Sequence, residues 1–75
     1  MSRRALVTGG SGYFGSLLVQ KLLERGYQCR IFDLNDAEDR PPQVEFIKGD
    51  VRDFDALQPA FTDVAVVHHN VAQVP

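Results

Sequence analysis

The chain has 75 residues, which is enough for one small domain at most. Its net charge is −2 and 44% of its residues are hydrophobic, a composition typical of a globular protein and without the basic stripe that a nucleic-acid partner requires. A single cysteine excludes an internal disulfide, and no long apolar segment follows Met1–Arg4, so we expect a cytoplasmic protein with neither a signal peptide nor a membrane span.

The first half of the chain predicts a strand, a helix and a second strand. A short apolar run stopped by glycine predicts a strand over residues 4–8. A three- and four-residue apolar period then predicts a helix over residues 13–25, and Gly26 follows where a helix-ending glycine is expected. Residues 28–33 predict the second strand, in which Cys29 is expected to be buried and inert. The expected buried face of the helix comprises Phe14, Leu17, Leu18, Leu22 and Leu23.

The second half repeats this alternation. Residues 44–48 predict a third strand. Asp53 is placed to cap a short helix that continues to Phe61, but Pro59 removes one helical hydrogen bond, so this helix should be short or distorted. Residues 64–67 predict a fourth strand. The expected buried face of the second helix comprises Ala56, Leu57, Ala60 and Phe61.

The order of these elements predicts an α/β fold. Strands that alternate with helices specify a parallel sheet with right-handed crossovers. We expect its four strands to lie in the spatial order 3-2-1-4. No internal domain boundary is apparent, so residues 1–75 are treated as one unit. The fourth strand is expected to lie at an open edge, where Val64, Val66 and Val67 would favour self-association of the chain expressed alone.

A glycine-rich run, Thr8-Gly9-Gly10-Ser11-Gly12-Tyr13-Phe14-Gly15, joins the first strand to the helix. Gly10, Gly12 and Gly15 fit the dinucleotide fingerprint G-x-G-x-x-G, while Gly9, Gly12 and Gly15 fit a looser G-x-x-G-x-x-G. Glycines let the backbone approach a ligand closely, and the N-terminus of the following helix favours phosphate. A P-loop is excluded because no Gly-Lys-Ser/Thr follows; a tight turn without a ligand is the remaining alternative.

Asp33 is the second candidate binding residue. It ends the second strand 18 residues after Gly15, close to the spacing of about 20 at which a ribose-binding acid is expected. A carboxylate there can accept both ribose hydroxyls of adenosine and would repel a 2′-phosphate, so the predicted cofactor is NAD rather than NADP. Arg30 does not oppose this, since it lies within the strand. The alternative is that Asp33 is a solvated turn residue.

The ends of the third and fourth strands supply further candidates. Asp50 is placed to accept a hydrogen bond from the amino group of adenine while Val51 packs against the ring, although a turn that leads into a helix would use the same residues. His68 and His69 are expected to lead out of the fourth strand. Because adjacent side chains there point to opposite sides, we expect no metal site.

These motifs together resemble the N-terminal part of an extended short-chain dehydrogenase/reductase. More narrowly, the glycine run, Asp33, residues 49–51 and residues 67–72 resemble the NAD-dependent epimerase/dehydratase family, which includes nucleotide-sugar epimerases, dehydratases and 3β-hydroxysteroid dehydrogenases. The resemblance implies a Rossmann-type NAD-binding domain in an oxidoreductase or isomerase that transfers hydride. It also implies a small-molecule substrate, with nucleotide sugars among the candidates, and a homo-oligomer.

The resemblance also assigns residue roles by position. It implies that Gly9, Gly12 and Gly15 form the pyrophosphate turn, to which Tyr13 and Phe14 contribute backbone N–H groups. The full implied set of cofactor-binding residues comprises Gly9, Gly12, Tyr13, Phe14, Gly15, Asp33, Asp50, Val51, His69 and Ala72. The last two match the family's His-Leu-Ala-Ala segment after the fourth strand, from which Asn70 and Val71 depart.

The family's catalytic Tyr-x-x-x-Lys pair is absent from the sequence. Tyr13 is followed four residues later by Leu17, and Tyr27 by Ile31. We therefore expect the chain to be the adenosine-binding part of a longer enzyme, without catalytic residues and inactive by itself. Two other classes of protein remain open, namely a non-catalytic dinucleotide sensor of the same fold and a stand-alone interaction module that binds no ligand.

Overall fold

The computed structural model of the chain describes residues 3–10 and 12–69, and within them strands and helices follow one another in the predicted order. The strands are β1 (Arg4–Thr8), β2 (Gln28–Asp33), β3 (Glu45–Lys48) and β4 (Val66–His69). The helices are α1 (Tyr13–Glu24) and α2 (Phe54–Leu57), and a 3-10 helix (Gln58–Phe61) follows α2 directly.

The strands form one parallel sheet in the order β3-β2-β1-β4, which confirms the predicted α/β fold and strand order. Thr8 of β1 lies opposite Phe32 of β2 and His69 of β4, so the carboxyl ends of these three strands are level. Asp33 extends β2 by one residue and pairs with Lys48 of β3. In such sheets ligands bind beyond the carboxyl ends of the strands, so this edge is where a site is expected.

Helices cover both faces of the central strands, which explains why the interiors of β1 and β2 are buried and apolar except at Arg30. The core on the α1 side comprises Ala5, Val7, Val19, Leu22, Cys29, Ile31 and Val44. The core on the opposite side comprises Leu6, Phe32, Leu57 and Ala60. Cys29 is buried, as predicted. Burial raises the pKa of its thiol, so the thiol is poorly ionised.

Helix α1 ends in a Schellman motif at the predicted glycine. Gly26 has φ of 87°, and its N–H donates to the carbonyl of Leu23 at 3.0 Å. The N–H of Tyr27 donates to the carbonyl of Leu22, also at 3.0 Å. These two bonds satisfy carbonyls that the helix end leaves without partners. Neither α1 nor any other helix in the described part of the chain is long and apolar enough to cross a bilayer.

The buried face of α1 differs from the predicted one. Phe14, which was expected in the core, is 74% exposed, and Leu17 is exposed as well. The other predicted positions are confirmed, since Leu22 is buried and Leu18 and Leu23 are partly buried against the core. The helix also meets the sheet through Gly15 and Val19, which were not predicted. At the first turn the helix packs through the backbone of Gly15, where a Cβ would lie 2.5 Å from the carbonyl oxygen of Gly9.

The second helical segment is distorted, as Pro59 predicted. Helix α2 spans only four residues, and Pro59 lies in the first turn of the 3-10 helix. Asp53 caps α2, since its Oδ1 accepts from two backbone N–H groups at 3.2 and 3.3 Å. Leu57 and Ala60 are buried as expected, but Phe61 is exposed. The change from 3.6 to 3.0 residues per turn explains why Phe61 leaves the buried face.

The predicted position of β4 was wrong by two residues, since the strand spans Val66–His69 rather than residues 64–67. The backbone is still turning before this point. Asp63 has φ of 60°, and the N–H of Val64 donates to a carbonyl of the 3-10 helix at 3.2 Å. As a result His69 lies within the sheet, at its carboxyl edge, instead of leading out of it.

Arg30 of β2 ties the sheet to the 3-10 helix. Its side chain is buried, and its Nη1 donates to the carbonyls of Ala60 at 2.8 Å and of Thr62 at 2.9 Å. Its Nη2 lies 3.5 Å from a carboxylate oxygen of Glu45 in β3. Strand β3 begins at Glu45, one position later than predicted. The buried guanidinium therefore connects three segments of the chain.

We expect Arg30→Met to lower the free energy of unfolding by about 1–3 kcal/mol, because the buried carbonyl of Ala60 loses its donor. Urea-induced unfolding followed by circular dichroism measures this change. Arg25→Met, at the exposed end of α1, is the matched control and should change stability by no more than about 0.5 kcal/mol. Equal unfolding midpoints for the two variants would contradict a structural role for Arg30.

Candidate functional site

A cleft of about 330 Å³ opens at the carboxyl edge of the sheet. It lies where the glycine turn, the end of β2 and the segment after β3 meet. Its walls comprise Gly9, Gly12, Tyr13, Phe14, Gly15, Phe32, Asp33, Leu34, Gly49 and Val51. The structure therefore brings the predicted glycine turn, the predicted ribose acid and one predicted adenine contact together around one cavity.

Among the three glycines of this turn that line the cleft, two require glycine for structural reasons. Gly9 has φ of 70°, a conformation that favours glycine. A Cβ at Gly15 would lie 2.5 Å from the carbonyl oxygen of Gly9, so a side chain there would collide with the turn itself. At Gly12 a Cβ would meet only that same oxygen, at 3.8 Å. A side chain at Gly12 would therefore extend into the open cleft rather than into the protein.

Gly10 has a different role from the other three glycines. It is buried, and a Cβ there would lie 2.8 Å from the side chain of Ile31 in β2. It is not among the residues that line the cleft. Of the two overlapping glycine patterns, the one that faces the cavity is therefore Gly9, Gly12 and Gly15, while Gly10 permits the turn to pack against the sheet.

The N-terminus of α1 lies at this cleft. The N-cap residue is Gly12, which offers no side chain to cap the helix, and the first turn contains no acidic residue. The first backbone N–H groups of a helix have no acceptor within it, and they carry the positive end of its dipole. Tyr13 and Phe14, whose backbone N–H groups belong to this turn, both line the cleft. Such a helix end favours a phosphate group.

Asp33 is held at the cleft by contacts with the segments on either side. Its Oδ1 accepts a hydrogen bond from the N–H of Leu34 at 2.6 Å, and its carbonyl accepts from the N–H of Gly49 at 3.0 Å. A Cβ at Gly49 would lie 2.5 Å from the ring of Phe32, so only glycine lets the chain pass over this buried ring. The carboxylate is thereby placed at the cleft, beside the glycine turn.

Asp50 is oriented by a partner that the sequence analysis did not identify. Arg52 donates to its carboxylate through Nε at 3.0 Å and through Nη2 at 2.6 Å. This guanidinium lowers the pKa of Asp50 to about 2. Val51 lines the cleft, whereas Asp50 is not among the lining residues, so its contact with adenine stays a prediction.

The carboxyl ends of β1 and β4 are joined by a side-chain hydrogen bond. Nδ1 of His69 lies 2.7 Å from Oγ1 of Thr8, which is buried. This pair lies at the point where the strand order reverses, although His69 itself does not line the cleft. Within residues 3–10 and 12–69, no group of three His, Cys, Asp or Glu side chains converges as metal ligands. Ala72, the other residue predicted after β4, lies outside the described residues.

The sequence analysis missed several residues of this site. Phe32, Leu34 and Gly49 line the cleft but were not predicted to do so. Their positions carry a usable signal, since the first two flank Asp33 and the third precedes Asp50. Arg52 carries no comparable local signal, because its contact with Asp50 depends on the turn that the backbone makes after β3.

Residues 5–75 match the family model described as NAD dependent epimerase/dehydratase family. The chain belongs to this family. Membership confirms the resemblance on which the Rossmann-type fold was predicted, and it agrees with NAD as the predicted cofactor. The match covers the glycine turn, Asp33 and the segment after β3, which are the segments that surround the cleft.

Curated and solved relatives support this assignment. An uncharacterized protein of Sinorhizobium fredii, y4nG, is 51% identical over 73 residues, which cover 97% of this chain and 18% of that protein. Mouse sterol-4-alpha-carboxylate 3-dehydrogenase, decarboxylating, is 38% identical over 74 residues, 99% of this chain and 20% of that enzyme. The crystal structure of Thermus thermophilus UDP-glucose 4-epimerase in complex with NAD superposes with a TM-score of 0.80 at 37% identity, over 95% of this chain and 24% of that one. The chain thus spans about a fifth of the length of these curated relatives.

Proposed function

We propose that the chain forms the adenosine-binding half of the NAD domain of a longer enzyme, called the parent enzyme below. The observation that carries the proposal is the single cleft that joins the N-terminus of α1 to the carboxylate of Asp33. The parent enzyme would transfer hydride at a carbinol or ketone carbon of a small molecule, as an epimerase, dehydratase or related dehydrogenase does. A nucleotide sugar is the first candidate substrate.

The glycine turn is assigned to the pyrophosphate. Backbone N–H groups at the start of α1 would donate to its oxygens, and the positive end of the helix dipole would stabilise its charge. The open space at Gly12 leaves room for the phosphates to approach the backbone. NAD, when bound, would accept and return the hydride, while the residues of this chain bind and orient its adenosine half.

Asp33 is assigned to the adenosine ribose. Its carboxylate lines the cleft and can accept hydrogen bonds from the 2′- and 3′-hydroxyl groups. The same negative charge would oppose a 2′-phosphate, which is why we assign NAD rather than NADP. Arg30, the other charged residue of β2, cannot neutralise a 2′-phosphate, because its guanidinium is buried against the 3-10 helix.

The apolar part of the cleft is assigned to the base. Leu34 and Val51 line the cleft on the side of Asp33 and of the segment after β3. An adenine ring between these side chains would remove apolar surface from water. Asp50, next to Val51, would then accept a hydrogen bond from the amino group of the base.

The chemistry itself is assigned to residues outside this chain, since neither Tyr13 nor Tyr27 is followed by a lysine four positions later. The relatives are about five times longer, which leaves room for a catalytic part and a substrate-binding part. The proposal includes a homo-oligomeric parent enzyme in the cytoplasm, as expected from the sequence, and residues 1–75 as the N-terminal part of its NAD domain.

Titration of the parent enzyme with NADH, followed by the fluorescence of the reduced nicotinamide, tests this function. We expect saturable binding, NAD-dependent turnover of a nucleotide sugar or hydroxysteroid, and no turnover by the 75-residue chain alone. A folded parent protein that does not bind NADH would refute the proposal. Binding without turnover of any such substrate would instead support a non-catalytic sensor of the same fold.

A further inference from the structure

Arg52 holds both oxygens of the Asp50 carboxylate. Its backbone N–H and its Nε donate to Oδ1 at 2.9 and 3.0 Å, and its Nη2 donates to Oδ2 at 2.6 Å. The Arg52 side chain is 85% exposed. An ion pair so exposed contributes little to the stability of a fold. Stability of the fold therefore does not account for this ion pair.

The contacts around this pair hold the whole turn after β3. The N–H of Asp53 donates to the carbonyl of Asp50 at 2.9 Å and closes the turn, and Asp53 in turn caps α2. Val51, between the two members of the ion pair, lines the cleft. The position of the Asp50 carboxylate is therefore set by its hydrogen bonds with Arg52 and by the hydrogen-bonded turn between Asp50 and Asp53.

The carboxylate retains capacity for one ligand group. An ionised carboxylate accepts about four hydrogen bonds. Arg52 makes four hydrogen bonds to this carboxylate, since its Nε–H also donates to Oδ2, at 3.2 Å. Because the Nε–H is shared between the two oxygens, only three donors occupy the carboxylate, which leaves room for about one more. The Asp50 side chain is partly exposed, so a ligand in the neighbouring cleft can reach it. The guanidinium also keeps the carboxylate ionised and therefore purely an acceptor, because it lowers the pKa of Asp50 to about 2.

We propose that Arg52 is a positioning residue for base recognition, which orients the Asp50 carboxylate so that its remaining acceptor position faces the amino group of adenine. This inference rests on the proposed function and deepens it. Arg52 would act through Asp50 and would not itself contact the base. Its removal should therefore reduce discrimination between purines and have less effect on the contacts made by the pyrophosphate turn and by Asp33.

The test compares NADH with reduced nicotinamide hypoxanthine dinucleotide, in which a carbonyl oxygen replaces the amino group. We expect the parent enzyme to prefer NADH by about tenfold or more, since the lost contact is a hydrogen bond to a charged group. Arg52→Ala should reduce this preference at least threefold. Arg52→Lys should give an intermediate value, because a lysine ammonium cannot hold both carboxylate oxygens in a fixed geometry.

Two further variants separate positioning from a general structural effect. Asp50→Ala should reduce the preference, and adding Arg52→Ala to it should change the preference by less than twofold, because Arg52 acts through Asp50. Arg40→Ala, which breaks the Asp36–Arg40 ion pair outside the cleft, should leave the preference unchanged. An unchanged preference in Arg52→Ala, with NADH still bound, overturns this inference alone. A parent protein that binds no NADH overturns the proposed function and this inference with it.

Discussion

Replacement of Gly12 by valine is expected to weaken NADH binding by the parent enzyme by well over tenfold, or more than about 1.4 kcal/mol. The branched side chain would occupy the space through which the pyrophosphate approaches the backbone. The fold itself should tolerate the change. Gly12 has an extended backbone, with φ of −79° and ψ of 176°, and the nearest atom to a Cβ there is 3.8 Å away. Fluorescence titration with NADH gives the affinity, and thermal melting confirms the fold.

Gly26→Ala is the matched control for this substitution. Gly26 lies just beyond the other end of α1, far from the cleft, and has φ of 87°. Alanine there should cost about 1 kcal/mol of stability, because a side chain is strained in the left-handed conformation, and it should leave NADH affinity unchanged. A folded Gly12→Val variant with normal affinity would show that the pyrophosphate does not lie against the glycine turn.

Asp33→Ala is expected to change cofactor choice. NADH affinity should fall about tenfold or more, because a charge-assisted contact with the ribose is lost. The affinity for NADPH should fall much less, or rise, because its 2′-phosphate no longer meets a carboxylate. The ratio of the affinities for NADH and NADPH should therefore approach one. Parallel titrations of the variant and the unmodified parent enzyme with both cofactors measure this ratio.

Asp36→Ala, in the loop that follows β2, provides the control. Asp36 forms an ion pair with Arg40, which lowers the pKa of Asp36, and it does not line the cleft. Its removal deletes one negative charge three residues from Asp33 and should leave the cofactor ratio unchanged. If the unmodified enzyme bound NADPH as tightly as NADH, the assignment of Asp33 to the ribose would be wrong.

Much of the secondary structure could be predicted from short stretches of the sequence. The bounds of β1 and β2 follow from short, mainly apolar runs that end before a glycine and at an aspartate, because strands covered on both faces bury most of their side chains. The start of α1 after the glycine turn, its termination before Gly26 and the distortion at Pro59 are likewise properties of a few consecutive residues. The alternation of these elements was then enough to predict a parallel sheet.

The sequence-based predictions failed where contacts between distant segments of the chain determine the structure. The start of β4 was misplaced because the turn that ends the 3-10 helix continues through Val64, and apolar valines by themselves do not reveal where pairing with β1 begins. Phe14 was assigned to the core on helical periodicity, whereas it is exposed at the cleft, and the neighbouring Gly15 is the residue that packs against the turn.

The sequence by itself determined the fold class, the strand order, the family and a set of cleft residues that includes the glycine turn and Asp33. The fold class and the cleft residues depend on backbone conformation and on burial, which each short segment encodes through its own residues, whereas the strand order and the family were predicted from the segments taken together. Only the tertiary structure decided that Gly10 packs against Ile31 instead of facing the cleft, and that Thr8 bonds to His69 across 61 positions. Such contacts follow from strand register and packing, which no single segment specifies alone.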